Sequence, residues 1–328
     1  MKRTGVLSIL FGVELLAVGV IVEAQQPTKI PYIGFQLDSP LSALAARVEG
    51  FRQGLRELGY VEGKNIIIEW RSAEGKPERR NDIAADWARL KVDIIVTGGP
   101  TTTFAAKEAT TTIPIVMAFD NDPVGNGFVA SLARPGGNVT GLSTLAPDIS
   151  GKQIELLKEV VPRLSRVAVL GSSTTPGNAR SFKETELASG VLAVQLQYLD
   201  VRDPKDIETA FRGAAKGRAN SLLVLTSPVI NPYRKEIADL AIKNRLPAIY
   251  STPEFVDDGG LMTYAVSITD LYRRAASYVD KILKGAKPAE LPVEQPKKFE
   301  FIINLKAAKQ IGLTIPSSVL ARADRVIK

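Results

Sequence analysis

The chain has no cysteine and no histidine in 328 residues. Without cysteine there is no disulfide, no thiolate nucleophile and no thiolate metal site, so the fold must rest on packing alone. Without histidine there is no Ser-His-Asp triad, no usual zinc site and little general-base chemistry near neutrality. No metal and no cofactor are therefore expected, and the balance tips against an enzyme, since only carboxylate, lysine or tyrosine chemistry is left. Gly-x-Ser-x-Gly and the Walker pattern are also missing, and Gly125-Asn126-Gly127 lacks the third glycine of a dinucleotide fingerprint. The net charge of +7 is spread along amphipathic segments, and aromatic residues make up only 6 % of the chain. A nucleic-acid partner would need clustered cations with stacking rings between them, so none is expected.

Long apolar runs are scarce as well. The main one lies at the start, where Lys2 and Arg3 precede an apolar stretch that ends in the small residue Ala24, the order of a secretory signal. Glu14 splits that stretch, and a membrane span needs roughly 20 unbroken apolar residues. Residues 1–24 therefore predict a signal peptide and an exported, periplasmic protein; an uncleaved anchor is the alternative, and a lipid anchor is excluded because no cysteine stands near the cleavage site.

Beyond this leader, short apolar runs alternate with longer amphipathic ones, the pattern of a parallel sheet covered by helices. Strands are predicted at Ile30–Leu37, Ile66–Trp70, Val92–Thr97, Ile115–Phe119 and Val139–Leu142, with helices at Ser42–Leu58, Pro77–Leu90 and Thr101–Ala109 between them. The same grammar recurs from Arg166 to about Ala265, with strands at Arg166–Gly171, Val194–Tyr198, Ser221–Thr226 and Pro247–Ser251. The fold class is thus α/β, two doubly wound, Rossmann-like lobes with a ligand cleft between them. Residues 29–145 with about 266–298 form lobe 1, residues 146–265 form lobe 2, and 299–328 form a C-terminal hinge or lobe segment that returns toward lobe 1.

In open parallel sheets ligands bind beyond the carboxyl ends of the strands. That rule nominates Phe35 and Gln36 at the end of the first strand, and Gly99, Thr101 and Thr102, where glycine, proline and hydroxyls open a helix suited to a carboxylate. Phe119, Asp120 and Asp122 set a ring beside two carboxylates; these either meet a ligand ammonium or cap the next helix through Asp122. In lobe 2 the corresponding positions are Ser172, Ser173, Thr174, Asn178, Ser227, Glu254 and Phe255. No catalytic residue is assigned.

Several stretches carry a family resemblance: Gly50-Phe51-Arg52-Gln53-Gly54-Leu55, Thr110–Val116, Arg134-Pro135-Gly136-Gly137-Asn138-Val139-Thr140-Gly141, Phe255–Tyr264, Ile282–Pro288, Leu291–Pro296 and Phe299–Lys306. In this order they resemble the ABC transporter substrate-binding proteins of the TrpX/TrpY-like group. The resemblance implies a type I periplasmic binding-protein fold and an extracytoplasmic receptor that closes on a small solute, often an aromatic amino acid. It also implies delivery to a permease and ATPase complex at the inner membrane. The receptor is expected to act as a monomer. A ligand-sensing ectodomain partner of a membrane receptor, or a carboxylate-dependent enzyme using Asp120 and Asp122, are the alternatives for the same cleft. Family members often carry an Asn-Pro-rich loop where this chain has Ser172-Ser173-Thr174-Thr175-Pro176, which leaves the ligand open.

Overall fold

A computed structural model describes residues 29–296 and 299–328; the expected signal, 1–24, lies outside the described residues. The chain begins with β1 (Tyr32–Leu37), α1 (Ala45–Glu57), β2 (Ile67–Ser72), α2 (Pro77–Leu90), β3 (Ile94–Thr97), α3 (Pro100–Ala109), β4 (Ile115–Asp120) and β5 (Val139–Ser143). These strands form one sheet in the order β2-β1-β3-β4-β5, every neighbouring pair parallel. Strand β4 is buried at all six positions, as a strand covered on both faces must be, and its sequence is correspondingly apolar until Asp120.

The second lobe continues with α4 (Ala146–Val160), β6 (Arg166–Gly171), α5 (Asn178–Val191), β7 (Gln195–Asp200), α6 (Asp206–Lys216), β8 (Ser221–Val224), α7 (Arg234–Lys243), β9 (Ala248–Tyr250), α8 (Glu254–Asp257) and β10 (Met262–Ala265). Then come α9 (Ile268–Leu283), β11 (Glu300–Asn304), α10 (Leu305–Gln310), α11 (Ser317–Leu320) and β12 (Arg325–Ile327). The second sheet runs β12-β11-β10-β9-β8-β6-β7, with β10 and β11 antiparallel and the other pairs parallel. Helix α9 returns to the first lobe, where Leu271, Tyr272, Ala275 and Val279 join the core built by Phe35, Phe51 and Leu55.

Two elements depart from the sequence pattern. The predicted succession has no helix between Leu142 and Arg166, yet α4 fills that gap and buries Ile154, Leu157 and Val160 against the second sheet. Leu145 in the left-handed region (φ 55°) and a proline in the first turn hide its start. The pattern also sends the C-terminal segment back toward lobe 1; instead β11 pairs with β10 from Met262↔Ile303 to Ala265↔Glu300, because Phe301 and Ile303 belong to the second core. The chain therefore crosses between the lobes after β5, after β10, and between Glu294, bridged to Leu142, and Glu300.

Candidate functional site

The carboxyl ends of β1, β3 and β4 meet those of β6, β8 and β9 across the gap between lobes: Asp38, Gly98 and Asn121, and Thr175, Thr226 and Ser251, each just past one of these strands, line the space there. Two small niches lie there, sharing Asn121 of lobe 1 and Thr226 of lobe 2. One sits at the hinge, between Ala146 and Ile149 of α4, Asn178 and Ser181 of α5, and Val266 and Ile268 at the start of α9. The other lies outward of it, between Asp38, Arg47, Gly98, Gly99 and Thr101 of lobe 1 and Thr175, Pro228 and Asn231 of lobe 2. Their volumes of about 10 and 20 Å³ hold no more than single water molecules, so anything larger enters only when the lobes part.

The outer niche is built around Asp38, just past β1. Arg80 of α2 meets its carboxylate with two N–H groups, Nε to Oδ1 at 3.1 Å and Nη2 to Oδ2 at 2.9 Å, and the Thr101 hydroxyl donates to Oδ2 at 2.9 Å. Three of about four acceptor directions are thereby used. Gly98 and Gly99 keep the neighbouring loop close-packed: a Cβ on Gly98 would stand 2.6 Å from the Tyr272 hydroxyl, and one on Gly99 would stand 3.2 Å from the Phe119 ring. The Tyr272 hydroxyl donates to the Gly98 carbonyl at 3.0 Å, which ties α9 to this loop.

Arg47 on α1 and Glu254 on α8 form an ion pair across the lobes, Nη2 and Nε lying 3.1 and 3.2 Å from Oε1. Burial, the largest influence, pushes the Glu254 carboxyl up, but the Arg47 charge and the hydrogen bonds to the carboxyl together outweigh it and hold the group below its ordinary value. A second cross-lobe pair joins Arg180 of α5 to Asp122 at 2.9 Å.

The predicted site residues divide between niche, core and support. Gly99, Thr101 and Phe119 line the outer niche and Asn178 the hinge niche. Phe35 does not reach the cleft: it is fully buried in the first core, stacked on Trp70 at 4.4 Å. Phe255 is stacked likewise on Tyr250 at 4.7 Å in the core of the second lobe. Gln36 turns away to donate to the Arg80 carbonyl at 2.7 Å, and the Thr102 hydroxyl is spent on the Gly99 carbonyl at 2.9 Å. Ser172 and Thr174 bond to each other, while Ser173, exposed at the outer edge, bonds to Asp200 of β7. Ser227 accepts from Thr175 and so supports a niche residue without lining the niche itself. Glu254 serves the ion pair with Arg47.

Asp120 and Asp122 are not free to receive an ammonium group. Asp122 is matched by Arg180 and also accepts from the Gly125 amide at 3.0 Å. Asp120 is fully buried; its Oδ1 accepts from the Asp122 amide and from Asn126, and its Oδ2 has no partner among the described residues. Burial, reinforced by the Asp122 charge and opposed by those two hydrogen bonds, raises its pKa to about 7 from the ordinary value of 3.8. The folded chain thus binds one more proton than the unfolded chain between these values, so stability falls as pH rises through that window and levels off above it. Asp120→Asn is expected to flatten the thermal midpoint between about pH 5 and pH 7. An unchanged slope in a calorimetric pH series would remove Asp120 as its source.

The residue that the sequence pattern misses is Asn121. It lies between the two aspartates, is 2 % exposed, lines both niches, and none of the described residues hydrogen-bonds its side-chain amide. Arg47, Thr175, Thr226 and Ser181 escape the pattern with it, and only the meeting of the lobes reveals them.

A family model described as "ABC transporter substrate binding protein" matches residues 40–327. Over 266 residues the chain is 26 % identical to a tyrosine-binding protein of Clostridioides difficile (strain R20291), covering 81 % of this chain and 76 % of that one. It superposes with a TM-score of 0.85 on the ABC domain from Streptococcus pneumonia in complex with L-Trp, at 26 % identity, with 90 % of this chain and 99 % of that chain covered. With the ligand-free, open structure of a substrate binding protein from Clostridium difficile the TM-score is 0.66 at 24 % identity, covering 91 % and 99 %.

Proposed function

The chain belongs to the family of ABC transporter substrate-binding proteins, solute binders and not enzymes, and from that premise we propose that it captures a zwitterionic amino acid in the interlobe cleft for import. Residues 1–24 direct its export, and it acts in the periplasm as a monomer. Among the described residues no helix is long and apolar enough to cross a membrane. Lobe closure shifts the population toward the form that the permease accepts.

The observation that carries this reading is Asn121, a nearly fully buried amide without a partner among the described residues, at the junction of two niches and between two lobes. Its amide opens onto the space of both niches, where a bound group can take its hydrogen bonds. The charges around it narrow the class of solute. Asp38 is matched by Arg80 and Arg47 by Glu254, so the outer niche is neutral overall. A zwitterion keeps that balance; a solute with a net positive or net negative charge would leave an unpaired charge in a closed cleft. The ligand carboxylate would meet the N-terminus of α3 at Gly99–Thr101, and the ammonium would take the remaining acceptor direction of Asp38. The amino-acid ligands of the two relatives support the same class.

Titration calorimetry on protein unfolded and refolded to remove carried ligand tests this. L-tryptophan, L-tyrosine or L-phenylalanine is expected to bind; L-arginine and L-glutamate are not. Asn121→Ala should weaken binding about 3- to 10-fold, the net worth of a hydrogen bond between neutral groups. Tight binding of a charged amino acid, or an Asn121→Ala variant with unchanged affinity, would remove the assignment.

A further inference from the structure

The cations of this chain are less evenly spread than its sequence suggests. Because β6, β8 and β9 end at the cleft, the loops that lead into them lie together at the opposite pole of lobe 2. From the last residue of each helix to the first of the next strand, the loops into β6, β7, β8 and β9 hold Arg163, Arg166, Lys216, Arg218, Lys243 and Arg245, and no carboxylate. None of these cations forms an ion pair among the described residues, whereas Glu159, Asp239, Asp257 and Asp258 on adjoining elements are matched by Arg322, Lys235, Arg325 and Arg234. Helix C-termini favour cations, and α4, α6 and α7 end here. That cause acts equally in lobe 1, yet its loops into β2, β3 and β4 hold Lys64 and Lys91 against Glu57, Glu62 and Asp93. The helix dipole therefore does not account for the excess in lobe 2. The loops leave between them an open hollow of about 510 Å³, lined by Ser165, Arg166, Ala193, Gln195, Lys216 and Arg218. Arg166 is held by neutral acceptors, Gln195 Oε1 and the Gly217 carbonyl, so its position is fixed while its charge stays unmatched. Beside the hollow α5 ends in Leu187 and Val191, one turn apart and 60 % and 88 % exposed.

We propose that this pole of lobe 2 docks on an anionic lipid bilayer, with headgroup phosphates in the hollow and Leu187 and Val191 entering the interface. Two independent signals point to that one occupant. Unmatched cations attract an anionic leaflet, and exposed apolar side chains gain only where they leave water. A soluble polyanion would have no use for Leu187 and Val191, and a single-stranded nucleic acid would find no aromatic ring among the loop residues to stack on. The four strands are neighbours in the order β9-β8-β6-β7, so at about 4.8 Å per strand their loops span roughly 15 Å and act on one patch of the leaflet. The cleft lies at the other end of these strands, so a docked receptor keeps it clear. Held on the surface in which a permease sits, the receptor gains local concentration there, whatever its solute.

Co-sedimentation of the exported protein with vesicles tests this, comparing phosphatidylglycerol mixed into phosphatidylcholine with phosphatidylcholine alone. Binding is expected to the anionic vesicles only and should weaken as salt rises. Lys216→Gln combined with Lys243→Gln should weaken it about 10- to 30-fold, and Val191→Ser about threefold. Lys64→Gln combined with Lys91→Gln removes the same charge from the pole of lobe 1 and should change it less than about twofold. All five positions are exposed, so the thermal midpoint should stay put in every variant and serves as the check on folding. Failure to bind anionic vesicles, equal binding to both kinds, or an equal loss in the lobe 1 variant would overturn the proposal. So would binding that Val191→Ser leaves unchanged and short-chain polyphosphate displaces, since the pole would then be a site for soluble phosphate.

Discussion

Replacing Arg47 with methionine is expected to weaken ligand binding about 30- to 150-fold while leaving the ligand-free thermal midpoint nearly unchanged. The Arg47 side chain is only 5 % exposed, and that of Glu254 keeps 23 %. Oε1 of Glu254 takes both guanidinium contacts, and Oε2 has no partner among the described residues. Removing the cation leaves the carboxylate enclosed and unmatched, which costs about 2–3 kcal/mol here, short of the figure for a fully buried pair. That cost falls on the closed form alone, since an open Glu254 is hydrated, so it appears as lost affinity and not as lost fold stability. With Arg47 gone, burial raises the Glu254 pKa in the closed form above its open-form value. The closed form then binds the extra proton, and the variant should recover affinity as pH falls toward about 5. Arg47→Met combined with Glu254→Gln should recover most of the loss. A double variant as weak as Arg47→Met would show that Arg47 acts on the ligand directly and not by latching the lobes.

Much of this architecture is legible in the sequence because parallel strands covered on both faces are apolar throughout, and their ends are marked by glycine, proline and hydroxyls. Gly99, Thr101, Phe119 and Asn178 emerge from that rule, which says where a loop points without reference to its partner. The same rule misassigns Phe35 and Phe255. An aromatic near the end of a fully buried strand, or in a short buried helix after one, is as apolar as one that lines a cleft, so the pattern has no way to separate them. Ser173 goes astray for a related reason: its neighbour β7 is an edge strand, and Asp200 draws the hydroxyl outward.

The residues that escape the pattern share a different cause. Arg47 reads as one more charge on an amphipathic helix, and it is buried only because lobe 2 brings Glu254 to it, 207 residues away in the chain. Asn121 is masked by the two aspartates beside it, whose carboxylates look like better ligands until Asn126, the Asp122 amide and Arg180 are seen to occupy them. The position of β11 likewise depends on pairing with β10, a long-range choice that local periodicity does not encode.

Valine at Gly54 is expected to be the most damaging single substitution to the fold, lowering the thermal midpoint by roughly 5–10 °C at a cost of about 3–5 kcal/mol. Gly50 and Gly54 lie one turn apart on α1, in the stretch that carries the family resemblance, and both face α9. A Cβ at Gly54 would stand 2.0 Å from the Arg273 carbonyl oxygen and 2.9 Å from the Ala276 Cβ; one at Gly50 would stand 2.8 Å from the Thr269 carbonyl oxygen. The obstacles are backbone atoms, which cannot rotate aside, so α9 itself must move. The gain in helix propensity from glycine to valine, under about 0.5 kcal/mol, offsets little of this. The displacement also reaches the cleft, because α9 starts at Ile268 in the hinge niche and its Tyr272 holds the Gly98 carbonyl. Ligand affinity should therefore fall together with stability, unlike the Arg47→Met variant, in which affinity falls alone. Gly190→Ala supplies the contrast: it lies in α5 with no atom within 4 Å of an added Cβ, so it should raise the midpoint slightly. Calorimetry on the two glycine variants separates close helix approach from helix propensity, and a Gly54→Val protein as stable as the wild type would show that α1 and α9 are not held this closely.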